Sequence, residues 1–154
     1  MYFNVRVYGL LINDRDELLV TDEFDYGFPH TKFPGGGLEL GEGTRECLVR
    51  EFMEECELQI EVLDHFYTTD FYQKSVFNDS QILSIYYKVK NISTLDFKTS
   101  TKKFDFEGEE NGQLKFRWIP LKALQVEDLT LPIDRKVAEM LIERKCLCRA
   151  PNLR

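Results

Sequence analysis

The chain has 154 residues, of which 43% are hydrophobic and 13% aromatic, so it fits one domain with its own core and needs no disulfide framework. A net charge of -7 argues against nonspecific binding to nucleic acid, because such binding requires a basic surface that displaces counterions. Since the first residues lack the features of a signal peptide and no apolar stretch approaches the roughly 18 residues that span a bilayer, we predict a single soluble, cytoplasmic domain over residues 1–154.

The first third of the chain is predicted to contain a hairpin, a loop and a helix. Alternating apolar residues in 5–20, interrupted by a polar run, predict two strands joined by a turn. Residues 24–37 contain two prolines, four glycines and several aromatic residues, a composition typical of a loop. Residues 44–56 have helical periodicity without proline or glycine, and Thr44 is placed to cap that helix.

The rest of the chain is predicted to alternate strands with irregular segments and to end in a helix. Extended segments are predicted at 60–72, 82–89 and 114–119, an irregular one at 97–112 and a short helical one near 122–126. Pro132 opens a final amphipathic helix. The order of elements predicts an α/β (α+β) fold in which a mixed β-sheet is sandwiched between helices.

The first predicted helix has an acidic side and an apolar side. At about 100° per residue, the carboxylates of Glu51, Glu54 and Glu55 fall within an arc of roughly 100°. The opposing arc, which should pack on the sheet, holds Leu48, Val49, Phe52, Met53 and Cys56. Like charges one turn apart are mildly unfavourable in a helix, and a bound divalent cation would reverse that sign.

The residues around this helix indicate which ion and ligand the acidic side could bind. Carboxylates without sulfur or imidazole favour a hard ion, Mg²⁺ or Mn²⁺, which shares its coordination with water and phosphates. The glycines at 35–37 let the backbone approach a pyrophosphate without obstruction by side chains. The sequence therefore predicts a cation and a phosphate at one site.

The residues of this segment follow one another in a fixed order: Gly36, five residues, Glu42, seven residues, Arg50-Glu51-Phe52, one residue, Glu54-Glu55, and then Leu58. This order resembles the Nudix box. The resemblance implies the Nudix fold and an Mg²⁺- or Mn²⁺-dependent attack of water on a nucleoside diphosphate linked to another moiety. ADP-ribose, another nucleotide sugar or an oxidised nucleoside triphosphate would be such a small-molecule substrate, and a homodimer is compatible with the family.

The resemblance also implies roles for individual residues of the motif. Glu54 and Glu55 would be the main metal ligands, and Glu51 would bind the metal or act on its water. The carbonyl group of Gly36 would help to hold the metal. The alternative for the three glutamates is a solvated helix face.

Four further residues belong to the surroundings of this site. Glu42 would support it, and Arg50 would orient the glutamates by a salt bridge, the alternative for Arg50 being an ordinary surface residue. Glu39 has either a minor role in the site or a role in a turn. Glu57 stands where the family usually has glycine, which would cost roughly 1 kcal/mol if the left-handed backbone is kept.

Two segments outside the motif are candidates for further roles. Glu109 or Glu110 could assist water activation or bind another metal, and the alternative is a flexible acidic loop. Aromatic side chains in the first loop could stack on a nucleobase, or could pack in the core instead. These predicted substrate-binding residues are Tyr26, Phe28, His30 and Phe33.

Two other functions share the fold and remain alternatives. A non-catalytic nucleotide or ligand sensor should have lost the helix glutamates or gained a domain, and neither is seen in the sequence. An isomerase of isoprenoid diphosphates would need a catalytic cysteine. None of the four cysteines is an evident candidate, and we expect Cys47, Cys56, Cys146 and Cys148 to be reduced thiols without a catalytic role.

Overall fold

Strands and helices alternate along the part of the chain that the computed structural model describes, residues 1–94 and 97–149, with side chains described as far as residue 145. The strands are β1 (Tyr2–Leu11), β2 (Glu17–Asp25), β3 (Phe28–Lys32), β4 (Gly35–Gly37), β5 (Ile60–Thr68), β6 (Ser80–Asn91), β7 (Thr99–Ser100) and β8 (Gln113–Pro120). The helices are α1 (Thr44–Cys56), a 3₁₀ helix at Val126–Asp128 and α2 (Pro132–Arg149). None of the helices in this described part is both long and apolar enough to cross a bilayer.

The strands form two mixed sheets rather than one. The first has the order β4-β1-β6-β5, with β1 parallel to β6 and antiparallel pairing elsewhere. The second has the order β3-β2-β8-β7, with β7 parallel to β8. The predicted fold class, mixed β-structure with helices, is therefore confirmed, while the sheet itself is divided in two.

Each central strand contributes side chains to two separate core clusters. In β2, Leu18 and Val20 belong to the cluster that also contains residues of α2, whereas Leu19 belongs to the cluster packed against α1. In β1, Tyr8 packs on the α2 side and Val7 on the α1 side. Alternate side chains of a strand point to opposite faces, so both faces of these strands are covered by a helix or by the other sheet.

The prediction of a hairpin over residues 5–20 is wrong beyond its turn. Ile12 and Leu18 pair, and the Asn13 side chain accepts hydrogen bonds from the N–H groups of Arg15 and Glu17. The two strands then separate into different sheets. Because both strands are buried on both faces, their apolar patterns do not specify which strand pairs with which.

The prediction of a continuous loop over residues 24–37 is also wrong, since β3 and β4 lie within it. Both strands stand at the edge of a sheet and pair with one neighbour only, β3 with β2 and β4 with β1. Proline and glycine are tolerated at such edges, where one side of the strand makes no ladder hydrogen bonds. Pro29 in β3 and the three glycines of β4 therefore concealed two strands.

Helix α1 has the predicted bounds but a different cap. Gly43 occupies the capping position, and its N–H donates to the Glu46 carboxylate at 2.7 Å. The Thr44 hydroxyl instead shares a hydrogen bond of 2.8 Å with the Tyr87 hydroxyl. This contact fixes the first turn of α1 to β6, which carries Tyr87.

The buried side of α1 is narrower than predicted. Its buried residues are Cys47, Leu48, Phe52 and Cys56. Val49 and Met53, predicted to pack on the sheet, are each 42% exposed. A helix lying on a sheet covers only the centre of a wide apolar arc, so residues at the margins of that arc stay in contact with solvent.

Cys47 and Cys56 are free thiols, as predicted. Burial raises the pKa of each to about 12, so neither supplies a thiolate nucleophile at neutral pH. Nothing is described of the Cys146 and Cys148 side chains, and the prediction for these two residues lies outside the described side chains.

The remaining predicted elements are confirmed with altered ends. Strands β5, β6 and β8 correspond to the three extended segments, although β5 ends at Thr68. The short helical segment lies at Val126–Asp128, later than predicted. Pro132 opens α2 as expected, because its missing N–H falls where a helix has no internal acceptor.

Glu57 ends α1 in the left-handed conformation that usually requires glycine. Its φ is 55° and its ψ is 27°, and its N–H donates to the Met53 carbonyl at 3.1 Å. The N–H of Leu58 reaches back to the Phe52 carbonyl at 3.3 Å. This hydrogen-bond pattern closes the helix and leads into β5, so the conformation is kept despite its cost.

We predict that Glu57→Gly raises the free energy of unfolding by about 1 kcal/mol, because glycine adopts the left-handed conformation without a clash at Cβ. Urea unfolding measures the change. Glu57→Gln is the matched control, since it removes the charge and keeps the strained backbone. Equal stabilisation by both variants would show that the charge, and not the conformation, is responsible.

Candidate active site

The Arg50 guanidinium ties the loop after β4 to the acidic side of α1. Nε and Nη2 donate to the two oxygens of Glu42 at 3.0 and 2.7 Å, a bidentate arrangement. Nη1 donates to Glu51 Oε1 and to Glu54 Oε2, both at 3.2 Å. Nη2 also donates to the Gly37 carbonyl at 3.1 Å. A single cation therefore holds three carboxylates and the backbone of β4 together.

Glu42 and Glu39 take different positions around this guanidinium. Hydrogen bonds from Arg50 lower the pKa of Glu42 to about 2, and Glu42 also accepts the Glu39 N–H at 2.9 Å. The Glu39 side chain is 70% exposed, and its oxygen lies 3.8 Å from Arg50 Nη1. Glu42 is thus a fixed part of the network, whereas the Glu39 carboxylate lies at its rim.

The Glu51 carboxylate lies directly against the backbone of Gly36. Gly36 is buried in β4 opposite Val7, and a Cβ built on it would overlap the Glu51 carboxylate. Glycine at this position therefore lets the Glu51 carboxylate approach the backbone of β4 closely. The Glu51 side chain is 13% exposed, so this contact is largely shielded from solvent.

Glu55 has a buried oxygen, Oε2, without a hydrogen-bond partner among the described residues. Burial raises the pKa of Glu55 to about 7, although the charge of Lys32 opposes this shift. Buried polar atoms are almost always paired, so an unpaired carboxylate oxygen beside Glu51 fits a ligand for a cation.

The donor set of this region fits a hard divalent cation. Carboxylate oxygens and a backbone carbonyl are the ligands that Mg²⁺ and Mn²⁺ prefer. Among the side chains that the structure describes, in residues 1–94 and 97–145, no three from Asp, Glu, His or Cys already converge as a set of metal ligands. Arg50 instead holds Glu51 and Glu54, so binding of a cation would require Glu54 to turn from the guanidinium.

A cavity of about 190 Å³ opens beside this acidic region. It is lined by residues of β1, β2, β3, β6 and the start of α2, and by the segment 73–78 between β5 and β6. Its aromatic side is formed around Phe77, whose ring centroid lies 4.7 Å from that of Tyr26 and 5.3 Å from that of His30. Phe28 stacks on Phe77 at 5.4 Å.

Charged side chains form the part of the cavity nearest the glycines of β4. Lys32 Nζ lies 2.9 Å from Glu23 Oε1 and donates to the Gly35 carbonyl, also at 2.9 Å. His30 Nε2 lies 3.3 Å from the other Glu23 oxygen. Burial by itself would raise the pKa of Glu23. The charge of Lys32 and the hydrogen bonds from His30 and Lys32 have the larger combined effect and lower that pKa to about 2. Arg6 lines the same region and donates to the Tyr8 hydroxyl at 2.7 Å.

Residues 3–141 match the family described as NUDIX domain. The chain belongs to the Nudix family. Its fold is similar to solved structures of that family. One is the ORF135 protein of E. coli, with a TM-score of 0.69, 18% identity, and coverage of 98% of this chain and 96% of that one. No curated protein sequence matches the chain.

Two further solved structures share the fold at similarly low sequence identity. The MutT protein from Methanosarcina mazei Go1 has a TM-score of 0.66 and 17% identity, over 93% of this chain and 95% of that one. An ADP-ribose pyrophosphatase from Streptococcus suis 89-1591 has a TM-score of 0.56 and 16% identity, over 98% and 96%. At these identities the comparison with solved structures shows the Nudix fold alone.

The structure brings some of the predicted substrate-binding residues together and not others. Tyr26 and His30 line the cavity, and Phe28 stacks on Phe77, which also lines it. Phe33 takes the alternative role of packing in the core: it is fully buried in the α2-side core, edge-on to Tyr86 at 5.9 Å. Because the composition of residues 24–37 is typical of a loop, the sequence did not indicate that Phe33 directly follows a strand, β3, and that its ring enters the core.

Glu109 and Glu110 lie apart from the Nudix-box carboxylates in the described structure. Both are exposed, in the loop before β8, and neither lines the cavity. Gln113 holds this loop through the carbonyl group of Glu110 at 3.0 Å. A role for either glutamate in water activation stays a prediction.

The sequence did not indicate most residues of the cavity, among them the charged residues Arg6, Glu23 and Lys32 and the aromatic residue Phe77. Arg6 and Lys32 are charged residues in partly or fully buried strands, and such residues are seldom buried without a partner. Glu23 is their acidic partner, but the pairing of β2 with β3 is needed to find it. Phe77 comes from a segment without periodicity, and only the tertiary structure places it beside Tyr26.

We predict that Arg50→Met lowers the free energy of unfolding, because it leaves Glu42, Glu51 and Glu54 without their shared cation. The loss of unfolding free energy relative to wild type should be fully present above pH 4.5, the ordinary pKa of a glutamate. It should shrink as the pH falls towards about 2, because Glu42 then becomes protonated in the native state as well. Urea unfolding between pH 7 and pH 3 measures it.

Arg45→Met is the control for this change. Arg45 is an exposed arginine of the same helix, and it donates to the Val62 carbonyl rather than to a carboxylate. Its loss should have a smaller effect that does not depend on pH. A deficit of Arg50→Met that is equal at pH 7 and pH 3 would contradict the electrostatic role of the network.

Proposed function

We propose that this Nudix protein is an Mg²⁺- or Mn²⁺-dependent hydrolase that cleaves the pyrophosphate bond of a nucleoside diphosphate linked to another moiety. The observation that carries the proposal is the Glu51 carboxylate held against Gly36, with Glu54 tied to the same guanidinium. A carboxylate cluster beside a glycine-lined backbone suits a cation that carries phosphates. The aromatic cavity next to it suits the nucleoside part of a substrate.

Different residues of the site would bind the cation and position the carboxylates. Glu54, Glu55 and the Gly36 carbonyl would hold the cation, while Arg50 keeps Glu51 and Glu42 in place. When bound, the cation would lower the pKa of a water molecule and neutralise charge on the phosphoryl oxygens. Glu51 would bind the cation or take up the proton of the attacking water.

The cationic side chains of the cavity support a substrate that extends from the cavity to α1. Lys32 connects the two regions, because its ammonium group contacts the Gly35 carbonyl and also lines the cavity. Arg6 lies opposite Gly37 in the β1–β4 pairing. Two cations at this junction, the buried Lys32 and the partly buried Arg6, favour an anionic linker such as a diphosphate over a neutral one.

The substrate class includes ADP-ribose, other nucleotide sugars and oxidised nucleoside triphosphates, all small molecules. The names of two proteins with the same fold, an ADP-ribose pyrophosphatase and a UDP-X diphosphatase, agree with this class. The aromatic cluster of Tyr26, His30 and Phe77 favours a ligand with a planar ring.

We predict that Glu54→Gln lowers turnover by two or more orders of magnitude on every substrate that the wild type hydrolyses, because an amide replaces a charged metal ligand. Chromatographic detection of the nucleoside monophosphate product, over a screen of nucleotide pyrophosphates with Mg²⁺ or Mn²⁺, measures it. Glu61→Gln, at an exposed glutamate of β5, is the control and should retain wild-type turnover. Full activity in Glu54→Gln, or no hydrolysis by the wild type across the screen, would refute the proposal.

A further inference from the structure

A second cavity, of about 200 Å³, lies beside the second half of α2. It is bounded by the turn after β1, by β5 and β6, by the segment after β8 and by the last described side chains of α2. It shares no lining residue with the cavity of the candidate active site. Leu141 in its wall follows Asp134, in the wall of the first cavity, by about 10 Å along the helix axis. The second cavity, which we call the α2 groove, is therefore a separate site.

The floor of the α2 groove is apolar. Phe66 and Leu124 are 5% and 7% exposed, while Ile12 at the rim is 37% exposed. The partly buried residues around them are Leu121, Leu141 and Ile142. A concave apolar surface that is open to solvent is the kind of surface on which proteins bind apolar groups.

Three cationic side chains line the same groove, namely Lys88, Arg144 and Lys145. Lys88 follows Tyr86 by two residues in β6, so both point to the sheet face that α2 covers. Tyr86 is fully buried there, whereas Lys88 is exposed, so α2 leaves the sheet uncovered at Lys88. Arg144 and Lys145 follow Leu141 by three and four residues and lie on the same side of the helix. Three positive charges thus converge in a chain whose net charge is -7.

The Arg144 guanidinium lies over the Phe66 ring, with 4.2 Å between its central carbon and the ring centroid. This contact holds the group at the groove and leaves its N–H donors, which lie in the guanidinium plane, without an acceptor among the described residues. The other arginines with described side chains all have an acceptor: Arg6, Arg15, Arg45, Arg50, Arg117 and Arg135. Arg144 is therefore placed to receive an anion from outside the chain.

We infer that the α2 groove binds an anionic amphiphile, a carboxylate on an unbranched hydrocarbon chain, with the chain on Phe66 and Leu124 and the carboxylate at Arg144. A guanidinium binds a carboxylate by two parallel hydrogen bonds, and the apolar floor removes the chain from water. An inorganic anion would leave the floor uncovered, and a neutral hydrocarbon would leave the cations without a partner.

The size of the groove restricts the ligand further. Its volume of about 200 Å³ is below the roughly 300–1,000 Å³ of pockets for drug-sized ligands, so it suits one short chain rather than a ring system. The site lies outside the acidic region and the first cavity, and the inference does not depend on the proposed hydrolysis.

An NMR titration of the isotope-labelled full chain with octanoate, without nucleotide or divalent cation, tests the inference. Hexanoate has the same head group and a shorter chain, and octanol has the same carbon number without the charge. Octanoate should bind roughly fivefold or more tightly than either, because each buried methylene strengthens binding about fourfold and octanol cannot pair with Arg144. The backbone amides that shift should lie around the α2 groove, in β5 and residues 141–145.

Arg144→Met removes the charge and keeps an apolar side chain beside Phe66. It should weaken octanoate binding roughly fivefold or more and leave octanol binding unchanged. Lys136→Met is the matched control, because Lys136 is an exposed cation of the same helix that pairs with Glu139 and does not line the groove. This control should bind octanoate like the wild type. Circular dichroism verifies that each variant is folded, and Lys88→Met is the second variant at the rim.

Three outcomes would overturn the inference. The first is a wild type that binds no octanoate up to about 10 mM, as expected if a protein partner or a second copy of this chain covers the groove. The second is equal affinity for octanoate and octanol. The third is a pair of folded variants, Arg144→Met and Lys88→Met, that both bind octanoate like the wild type, which would place the anion elsewhere. Each outcome leaves the proposed hydrolysis untouched, and failure of the hydrolysis test leaves this inference untouched.

Discussion

The acidic region is held together by the hydrogen bonds that the Arg50 guanidinium donates to its carboxylates. Three glutamates of one loop and one helix approach each other closely, and their mutual repulsion would separate them without a shared cation. The same group donates to the Gly37 carbonyl and so fixes α1 to the edge strand β4. This arrangement places the Glu51 carboxylate against Gly36, where the backbone leaves no room for a side chain.

The acidic motif was predictable from the sequence because it is local. Gly36, Glu42, Arg50 and the helix glutamates lie within 23 residues, from Gly36 to Leu58, and their relative positions follow from one turn and one regular helix. The bounds of α1 and the left-handed Glu57 at its end were predictable for the same reason. The family match over residues 3–141 confirms the resemblance of this motif to the Nudix box.

The sheets and the cavity were predictable only in part, because they depend on contacts between distant residues. The apolar runs of β1 and β2 indicate buried strands, but not that the strands belong to different sheets. Phe77 and Asp134 reach the cavity from segments with no local signal of a site. Phe33 is the converse case, since an aromatic residue in a loop-like composition became part of the core.

We propose above that Gly36 and the α1 carboxylates together form a divalent-cation site. The affinity for Mn²⁺, measured by electron paramagnetic resonance in wild type, Gly36→Ala and Gly37→Ala, tests it most directly. A Cβ at Gly36 would displace the Glu51 carboxylate, whereas a Cβ at Gly37 would meet its nearest atom, Arg6 Nη1, only at 3.8 Å. We expect Gly36→Ala to weaken Mn²⁺ binding by roughly tenfold or more, with Gly37→Ala close to wild type. Equal affinities in all three folded proteins would contradict the account.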